Sequence, residues 1–268
     1  MSERQPTESR NPKARGLESF TTRQILELMN DEDAIVPTAV RAALPAIEKA
    51  VDAIVDAIAK GGHVLYVGAG TSGRLGVLDA SEAPPTFGVA SDMFHGIIAG
   101  GDTALRSSIE GAEDEDAAGR RDVAQVLARD DVIVGISASG RAPYVIGGLE
   151  AGENVASATV GLTCNADSPL ARAADIPIVV DVGPEVLAGS SRLKAGTATK
   201  LVLNMLSTAA MIRSGRTRGD LMVDLRPTNA KLKERAIRMV RDEAHVSEGE
   251  ARARLEAADW SVRKALER

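Results

Sequence analysis

Five short segments that are almost entirely apolar recur along this chain, and they constrain its fold more than any other feature. They span residues 63–67, 95–99, 132–136, 158–162 and 176–180. Stretches with helical spacing of apolar residues, such as 114–127 and 143–151, separate some of them. Strands that are apolar on both faces and alternate with helices are typical of a parallel sheet covered on both sides. The sequence therefore predicts an α/β fold in three layers, with a five-stranded parallel sheet between helices.

The chain on either side of these segments is predicted to be helical. Apolar residues recur at helical spacing from Thr21 and again over 39–59, so two helices are expected before the first strand. A long helix is predicted over 194–213, and short charged helices follow from about residue 226. We therefore expect three parts, which are an N-terminal arm with helices packing on the core (1–60), the sheet domain (61–222) and a small helical appendage (223–268).

Composition argues against several classes of protein. The chain has 268 residues, with 32 basic and 38 acidic side chains, a net charge of -6 and 2% aromatic residues. Nucleic-acid binding is disfavoured, because it needs basic surfaces and rings that stack on bases. One cysteine and three scattered histidines argue against a disulfide framework and a metal site. No membrane span or export signal is visible, so we expect a cytoplasmic protein without a membrane partner.

Small and hydroxylated residues fill the loops after the first and third predicted strands. The loop 68–74 contains Thr71 and Ser72 among glycines, and the loop 137–141 reads Ser-Ala-Ser-Gly-Arg. Ligands of an open parallel sheet bind at the carboxyl ends of its strands, and the N–H groups of a helix N-terminus suit an anion. Neither loop matches a dinucleotide or P-loop motif. Together they predict a phosphosugar site, and a pair of tight turns without a ligand is the alternative.

Two glutamates are candidates for proton transfer. Glu82 precedes Pro84 and Pro85, which are expected to end the helix that begins at the first loop. A helix C-terminus carries partial negative charge, which suits a proton donor. Glu113 lies in the acidic run 110–116, where neighbouring charges would act in the same way. Each has a plain alternative, namely an exposed helix-end glutamate for Glu82 and a solvated acidic surface for Glu113.

Charged residues also follow the fifth predicted strand. The segment 183–197 contains Glu185, Arg192 and Lys194 just before the long helix. Glu185 is an acid–base candidate, and the two cations could contact an anionic ligand. A structural loop whose charges pair with one another is the alternative.

Six strings of residues connect these features to a known family. They are TESRNP (7–12), LMNDED (28–33), YVGAGTSGRLG (66–76), DASEAPPTF (79–87), GPEV (183–186) and SSRLKAGT (190–197). Together they resemble the N-acetylmuramic acid 6-phosphate etherases, which have the sugar isomerase (SIS) fold. The later strings are long enough to separate these etherases from other SIS proteins.

The resemblance implies a lyase that cleaves the ether between D-lactate and carbon 3 of N-acetylmuramic acid 6-phosphate, giving N-acetylglucosamine 6-phosphate. Elimination followed by water addition is the accessible route, because the aldehyde of the opened sugar acidifies the proton on carbon 2. Glu82 matches the family's proton donor, and Glu113 matches its second catalytic carboxylate, which suits the base at carbon 2. No cofactor and no metal are implied. The expected setting is muramic acid catabolism, as cell-wall recycling or as use of wall fragments from other cells.

The resemblance also implies how the phosphosugar is held. The phosphate is expected to bind at the two loops, through Thr71, Ser72, Ser137, Ser139 and Gly140. Glu185 and Lys194 are expected to reach the sugar across the subunit boundary of a homodimer. A phosphosugar-sensing SIS regulator and an aldose–ketose isomerase are the alternatives, and the presence of both glutamates in their motifs favours the etherase.

Overall fold

Five parallel strands form one sheet in the computed structural model, which describes residues 6–225, 227 and 229–267. The strands are β1 (Val64–Gly68), β2 (Phe94–Ile98), β3 (Val132–Ile136), β4 (Ala158–Thr163) and β5 (Ile176–Val179). Their order is β2-β1-β3-β4-β5, and every neighbouring pair is parallel. The predicted α/β sheet is confirmed, and each predicted strand lies within one residue of the observed bounds.

Helices surround this sheet and extend beyond it at both ends of the chain. In the described residues they are α1 (Thr22–Asp33), α2 (Val36–Ala42), α3 (Leu44–Ala59), α4 (Gly70–Phe87), α5 (Asp116–Ala124), α6 (Pro143–Glu150), α7 (Pro169–Ala173), α8 (Lys194–Arg213), α9 (Ala230–Ala244), α10 (Glu248–Ala257) and α11 (Val262–Leu266). Short 3₁₀ turns add to them at Pro6–Glu8, Pro12–Ala14, Leu17–Ser19, Gly101–Leu105 and Ala112–Asp114. The predicted helix over 194–213 matches α8 at both ends.

Alternate residues of each central strand enter two different apolar layers. Val64 and Tyr66 of β1 pack into the cluster formed with α3, α4 and α8. Leu65 and Val67 face the other way, into the cluster that includes Val145 of α6. Because a strand turns successive side chains to opposite faces, a strand buried between two layers must be apolar at every position.

Proline effects in two helices differ from the predictions. The prediction of a single helix over 39–59 is wrong, because α2 ends before Ala43 and α3 begins after it, with Pro45 in its first turn. A proline is tolerated there, whereas inside a helix it would lack an N–H donor and clash with the preceding turn. The paired prolines also do not end α4, which continues to Phe87.

Burial of Phe87 explains why α4 continues past its prolines. Its side chain is buried in the sheet-facing core, which offsets the backbone hydrogen bonds lost at the prolines. The helix ends instead at Gly88, whose φ of +64° lets its N–H donate to the Pro84 carbonyl. The helix dipole acts most strongly on the last turn, and Glu82 lies before that turn. The predicted position of Glu82 at the helix C-terminus is therefore wrong.

The C-terminal helices pack around a separate apolar cluster. Buried residues of α9, α10 and α11 form it together with Val223, and Leu255 and Val262 are at its centre. The side chain of Arg263 ties this part to the preceding segment, donating to both carboxylate oxygens of Asp224 at 2.7 and 2.9 Å. The division of the chain at residues 60 and 222 stays a prediction.

The strand order brings two loops together. β1 and β3 are neighbours, and Gly68 at the end of β1 pairs in register with Ile136 at the end of β3. The chain leaves β1 towards β2 on one side of the sheet, whereas β3 lies on the other side. Such a change of direction opens a crevice at the carboxyl ends of the strands, where ligands of open α/β sheets bind.

Candidate active site

A crevice of about 290 Å³ lies at the carboxyl ends of β1 and β3. Its wall includes Thr71 and Ser72 from the first loop, and Ser137 and Ser139 from the second. The two hydroxylated loops therefore meet, as the sequence predicts. The volume is close to the lower limit of small-molecule sites.

The first loop places the start of α4 directly against the strand. A Cβ atom on Gly68 would lie 2.5 Å from the Gly73 nitrogen, and one on Gly73 would lie 2.6 Å from Ile98 Cγ1. Only glycines permit this close approach. The first N–H groups of a helix have no intrahelical acceptor, so those of Gly70 and its neighbours are available to an anion at the crevice.

The second loop is a tight turn closed by its own side chains. Ser137 Oγ accepts the Gly140 N–H at 3.1 Å, and Ser139 Oγ accepts the Arg141 N–H at 3.3 Å. Gly140 has a φ of +67°, and a Cβ atom there would lie 2.3 Å from Ser168 Oγ. Gly140 is therefore required by the turn and by the packing beneath it, although its own atoms do not line the crevice.

Backbone contacts fix this turn from below. Cys164 N–H donates to the Ala138 carbonyl at 2.9 Å, and Leu170 N–H donates to the Gly140 carbonyl at 3.0 Å. The N–H groups of Ala138 and Ser139 donate to no acceptor in the part of the chain that the structure describes. They remain available to a ligand.

Burial, with the nearby charges of Glu185 and Asp181, raises the pKa of the Cys164 thiol to about 12, so it is not a nucleophile at neutral pH.

The described residues that line the crevice supply carboxylates and neutral donors. None of the described residues that line it is lysine or arginine. Arg74, at the end of the first loop, instead donates to the carbonyls of Ala104 and Leu105, at 3.0 and 3.3 Å. A phosphate bound here would be held by hydroxyls, backbone N–H groups and helix N-termini.

Glu113 lies at the edge of this crevice. It is exposed within the turn Ala112–Asp114, which follows Gly111 with a φ of +73°. It also borders an adjoining cavity of about 150 Å³ that shares Ala69 and Gly70. Glu110 of the same acidic run also lines this adjoining cavity, whereas Asp116 pairs with Arg120.

Comparisons with known proteins identify the family of this chain. The model of the glucokinase regulatory protein N-terminal SIS domain matches residues 46–153, and that of the SIS domain matches residues 112–209. An N-acetylmuramic acid 6-phosphate etherase from Jannaschia sp. (strain CCS1) is 52% identical over 261 residues, covering 97% of this chain and 83% of that protein. One from Yersinia pestis (strain Pestoides F) is 51% identical, covering 97% and 88%. The chain belongs to the N-acetylmuramic acid 6-phosphate etherase family.

Solved structures show that this etherase family member has the SIS fold. A phosphoheptose isomerase from Francisella tularensis superposes with a TM-score of 0.56 at 19% identity, covering 71% of this chain and 98% of that one. A phosphoheptose isomerase from Neisseria gonorrhoeae gives a TM-score of 0.53 at 18% identity, also covering 71% and 98%. At these identities the likeness concerns the fold alone.

Glu82, the first of the two predicted catalytic carboxylates, does not line the crevice of its own chain. It is exposed on α4, about ten residues after Ser72, which is roughly 15 Å along a helix axis. Glu82 and Glu113 are therefore not brought together within one chain, and their catalytic roles stay predictions.

Glu185 and Lys194 lie behind the crevice wall rather than in it. The Glu185 carboxylate accepts the backbone N–H groups of Lys194 and Ala195, both at 3.0 Å, and so caps α8. Burial raises the pKa of Glu185, outweighing these two N–H groups, which lower it. These contacts fit the structural-loop alternative, and contact with the sugar stays a prediction.

The side chain of Lys194 forms a buried ion pair with Glu32 of α1. Its Nζ lies 2.5 Å from Glu32 Oε2, and the two side chains are 2% and 6% exposed. Burial alone would raise the pKa of Glu32, but hydrogen bonds from Lys194, Lys13 and Asn11 lower it below its ordinary value. Lys194 and Lys13, which both pair with Glu32, thus join the N-terminal segment, α1 and α8.

Four residues of the crevice wall were missed by the sequence reasoning. They are Thr7, Glu8, Gly189 and Ser191. The available signal was the pair of strings 7–12 and 190–197, which carried the resemblance without a function for these positions. Periodicity and loop position could not identify them, because neither relates the start of the chain to the loop before α8.

In the described residues, no helix is long and apolar enough to cross a membrane, and no group of three histidine, cysteine or acidic side chains could hold a metal ion.

Proposed function

We propose that this chain cleaves the lactyl ether of N-acetylmuramic acid 6-phosphate, releasing D-lactate and N-acetylglucosamine 6-phosphate. The observation that carries the proposal is the identity of 52% and 51%, over 97% of the chain, to relatives named for this activity. The crevice supports it, since its neutral donors suit a phosphate that anchors the sugar. We also place the reaction in the cytoplasm, because a phosphorylated sugar is charged and does not cross a bilayer unaided.

The phosphate end of the substrate would bind at the two loops. Thr71 and Ser72, with the N-terminus of α4, supply hydroxyls and N–H groups, and Ser137 and Ser139 supply more. Gly140 holds the second loop in its turn. This arrangement fixes carbon 6, so that carbons 2 and 3 extend from the loops towards the mouth of the crevice.

Glu113 is the carboxylate that we assign to carbon 2. It lies in the crevice wall and is exposed, so it can accept a proton from a sugar anchored at the loops. The aldehyde at carbon 1 stabilises the carbanion that forms. Expulsion of the lactyl oxygen from carbon 3 then requires a proton donor, and water adds to the resulting double bond. Each proton transfer typically contributes on the order of 10²–10⁴ in rate.

We assign the proton donor to Glu82 of a partner subunit in a homodimer. The exposed face of α4 supports this assignment, since Leu78, one turn before Glu82, is 50% exposed. The neighbouring helix α8 exposes Met205 and Ile212 and is tied to α4 where Asn204 donates to Asp79 at 2.7 Å. Exposed apolar groups concentrated on two packed helices are typical of a protein–protein interface.

Lactate release is the direct test of the reaction. Purified protein incubated with N-acetylmuramic acid 6-phosphate should release D-lactate, and turnover in heavy water should label carbon 2 of the product. A phosphosugar sensor or an aldose–ketose isomerase would release no lactate, and an unlabelled product would contradict elimination.

Mixing two inactive variants tests the shared site. Glu82→Gln and Glu113→Gln should each lower lactate release by at least about a hundredfold while retaining phosphosugar binding. If Glu82 acts across the dimer, half of the subunits re-pair as mixed dimers with one intact site each, so refolding an equal mixture should restore about a quarter of wild-type activity. No restoration, with mixed dimers demonstrated by mass spectrometry, would contradict the assignment to the partner.

A further inference from the structure

The N-terminal segment before α1 is held across the loop that precedes α8. Gly189 N–H donates to the Thr7 carbonyl at 3.2 Å. Asn11 Nδ2 donates to the Pro184 carbonyl at 3.3 Å and to Glu32 Oε2 at 2.8 Å. Because both ends of this segment are tied down, the side chains between them have fixed positions in the crevice wall.

Thr7 has a buried hydroxyl without a partner. The residue is 1% exposed, and its Oγ1 makes no hydrogen bond in the part of the chain that the structure describes. Thr7 nevertheless lines the crevice. Buried hydroxyls are nearly always paired, since an unpaired one loses its hydrogen bonds to water without replacement. The unpaired oxygen therefore indicates a ligand that completes it.

Glu8 places a carboxylate in the same wall. Gly189, with a φ of +79°, lies beneath it, and a Cβ atom there would be 3.4 Å from Glu8 Oε2. The side chain is exposed to the crevice and forms no ion pair or hydrogen bond with any other described residue. An ionised carboxylate only accepts hydrogen bonds, so its partner must be a donor.

Charge restricts which part of a phosphosugar can meet Glu8. The phosphate and the lactyl carboxylate are anions, and a carboxylate in contact with either would oppose binding. The remaining donors of the substrate are the O–H groups of its hydroxyls and the N–H group of its amide, and all of them are neutral. Glu8 must therefore face the sugar chain rather than its charged ends.

We propose that Glu8 and Thr7 form the sugar-recognition wall of this site, with Glu8 accepting hydrogen bonds from neutral O–H or N–H groups of the sugar and Thr7 Oγ1 pairing with another polar group of it. The inference rests on the proposed function for the identity of the sugar. The wall recognises the sugar chain, whereas the two loops bind its phosphate.

Replacing Glu8 by glutamine tests the first part. Glu8→Gln should raise KM for lactate release about tenfold with kcat within about threefold, because hydrogen bonds to an ionised acceptor are roughly twice as strong as neutral ones. Inorganic phosphate, which meets only the loops, should inhibit this variant at least as strongly as the wild type. Glu18→Gln, at an exposed position in the same segment of chain, is the matched control and should change neither constant.

Three results would overturn the role of Glu8. An unchanged KM would remove Glu8 from recognition. A loss of kcat of more than about a hundredfold would make it an acid–base group instead. Weaker inhibition by phosphate, in proportion to the rise in KM, would also contradict the proposal, since it would show that the whole crevice had changed shape.

Replacing Thr7 by valine separates binding from folding. Valine has nearly the same shape, so Thr7→Val should leave the melting temperature unchanged or raise it, because no hydrogen bond within the protein is lost. The same variant should bind N-acetylglucosamine 6-phosphate at least threefold more weakly. A lower melting temperature with unchanged binding would identify Thr7 as structural and refute its role in recognition.

Binding measurements also keep this inference distinct from the proposed reaction. Calorimetry with N-acetylglucosamine 6-phosphate and 2-deoxyglucose 6-phosphate, which has no donor at carbon 2, needs no lactate release. If the effect of Glu8→Gln disappears with 2-deoxyglucose 6-phosphate, the donor is the amide, and if it persists, the donor is a hydroxyl. A wild-type protein that binds these sugars through Glu8 but releases no lactate would refute the etherase activity alone.

Discussion

Removal of the Glu32 carboxylate should destabilise the protein far more than removal of an exposed glutamate from the same helix. In Glu32→Ala, the Lys194 ammonium, whose side chain is 2% exposed, would lose the carboxylate that lies 2.5 Å away. Asn11 would also lose its 2.8 Å hydrogen bond to Glu32. Breaking a buried ion pair from one side typically costs about 3–5 kcal/mol, because an uncompensated charge stays buried.

Thermal unfolding can measure this cost. For a chain of this size, each kcal/mol shifts the melting temperature by roughly 2–4 °C, so Glu32→Ala should melt about 6–20 °C below the wild type. Glu27→Ala is the matched control, since Glu27 lies on α1 and pairs with exposed Arg23. It should change stability by no more than about 0.5 kcal/mol.

A double variant shows whether the charge or the packing is responsible. In Glu32→Gln/Lys194→Met both charges are absent, and stability should recover most of what Glu32→Ala loses, because no charge stays buried without a partner. A difference of about 2 °C in melting temperature is what a surface substitution causes. If Glu32→Ala melts within about 2 °C of Glu27→Ala, the buried pair does not anchor the N-terminal segment. If the double variant is as unstable as Glu32→Ala, shape rather than charge determines the loss.

Two further predictions concern the second loop and the buried ion pair. Gly140→Ala should raise KM at least tenfold and destabilise the fold by more than the roughly 1–2 kcal/mol of a left-handed residue, because its Cβ atom would lie 2.3 Å from Ser168 Oγ. Gly61→Ala is its control, with a φ of +87° and nothing within 4 Å of the added atom, so Gly140→Ala melting no lower than this control would refute the packing role. The pKa of Glu32 is lowered in the folded protein. The contribution of Glu32 to folding stability is therefore complete above the ordinary glutamate pKa of about 4.3, and it is lost as the pH falls through the lower pKa of the folded state. The difference in melting temperature between wild type and Glu32→Gln should therefore shrink below about pH 4, and a difference that is constant down to about pH 3 would contradict this sign.

The strands and the two loops could be predicted because their determinants are local. A strand buried on both faces needs an uninterrupted apolar run, as 132–136 shows, and such a run is visible without any knowledge of its neighbours. The meeting of the loops follows from parallel strands alone, since their carboxyl ends share one edge of the sheet. Thr71, Ser72, Ser137 and Ser139 were found in this way, whereas Glu113 was a candidate from its acidic run and received a role from the resemblance.

The supporting contacts could not be predicted because they join distant parts of the chain. Lys194 and Glu32 are 162 residues apart, and Asn11 and Pro184 are 173 apart. No periodicity records such pairs. The charges of Glu185 and Lys194 suggested either a ligand or a self-paired loop. The partner that Lys194 actually has, Glu32, lies in the string 28–33, which carried the resemblance without a role for this residue.

The absence of a cation among the described residues of the crevice wall also makes chemical sense for an elimination that releases lactate. A lysine or arginine there would bind the phosphate, but it would bind the departing lactate carboxylate in the same way and slow its release. Hydroxyls and N–H groups on a helix N-terminus hold a phosphate by geometry, since its oxygens must meet several fixed donors at once. Glu113 and Glu8 add repulsion towards a free carboxylate. Under the proposed function, the crevice would thus retain the phosphosugar through the water-addition step while the lactate anion leaves.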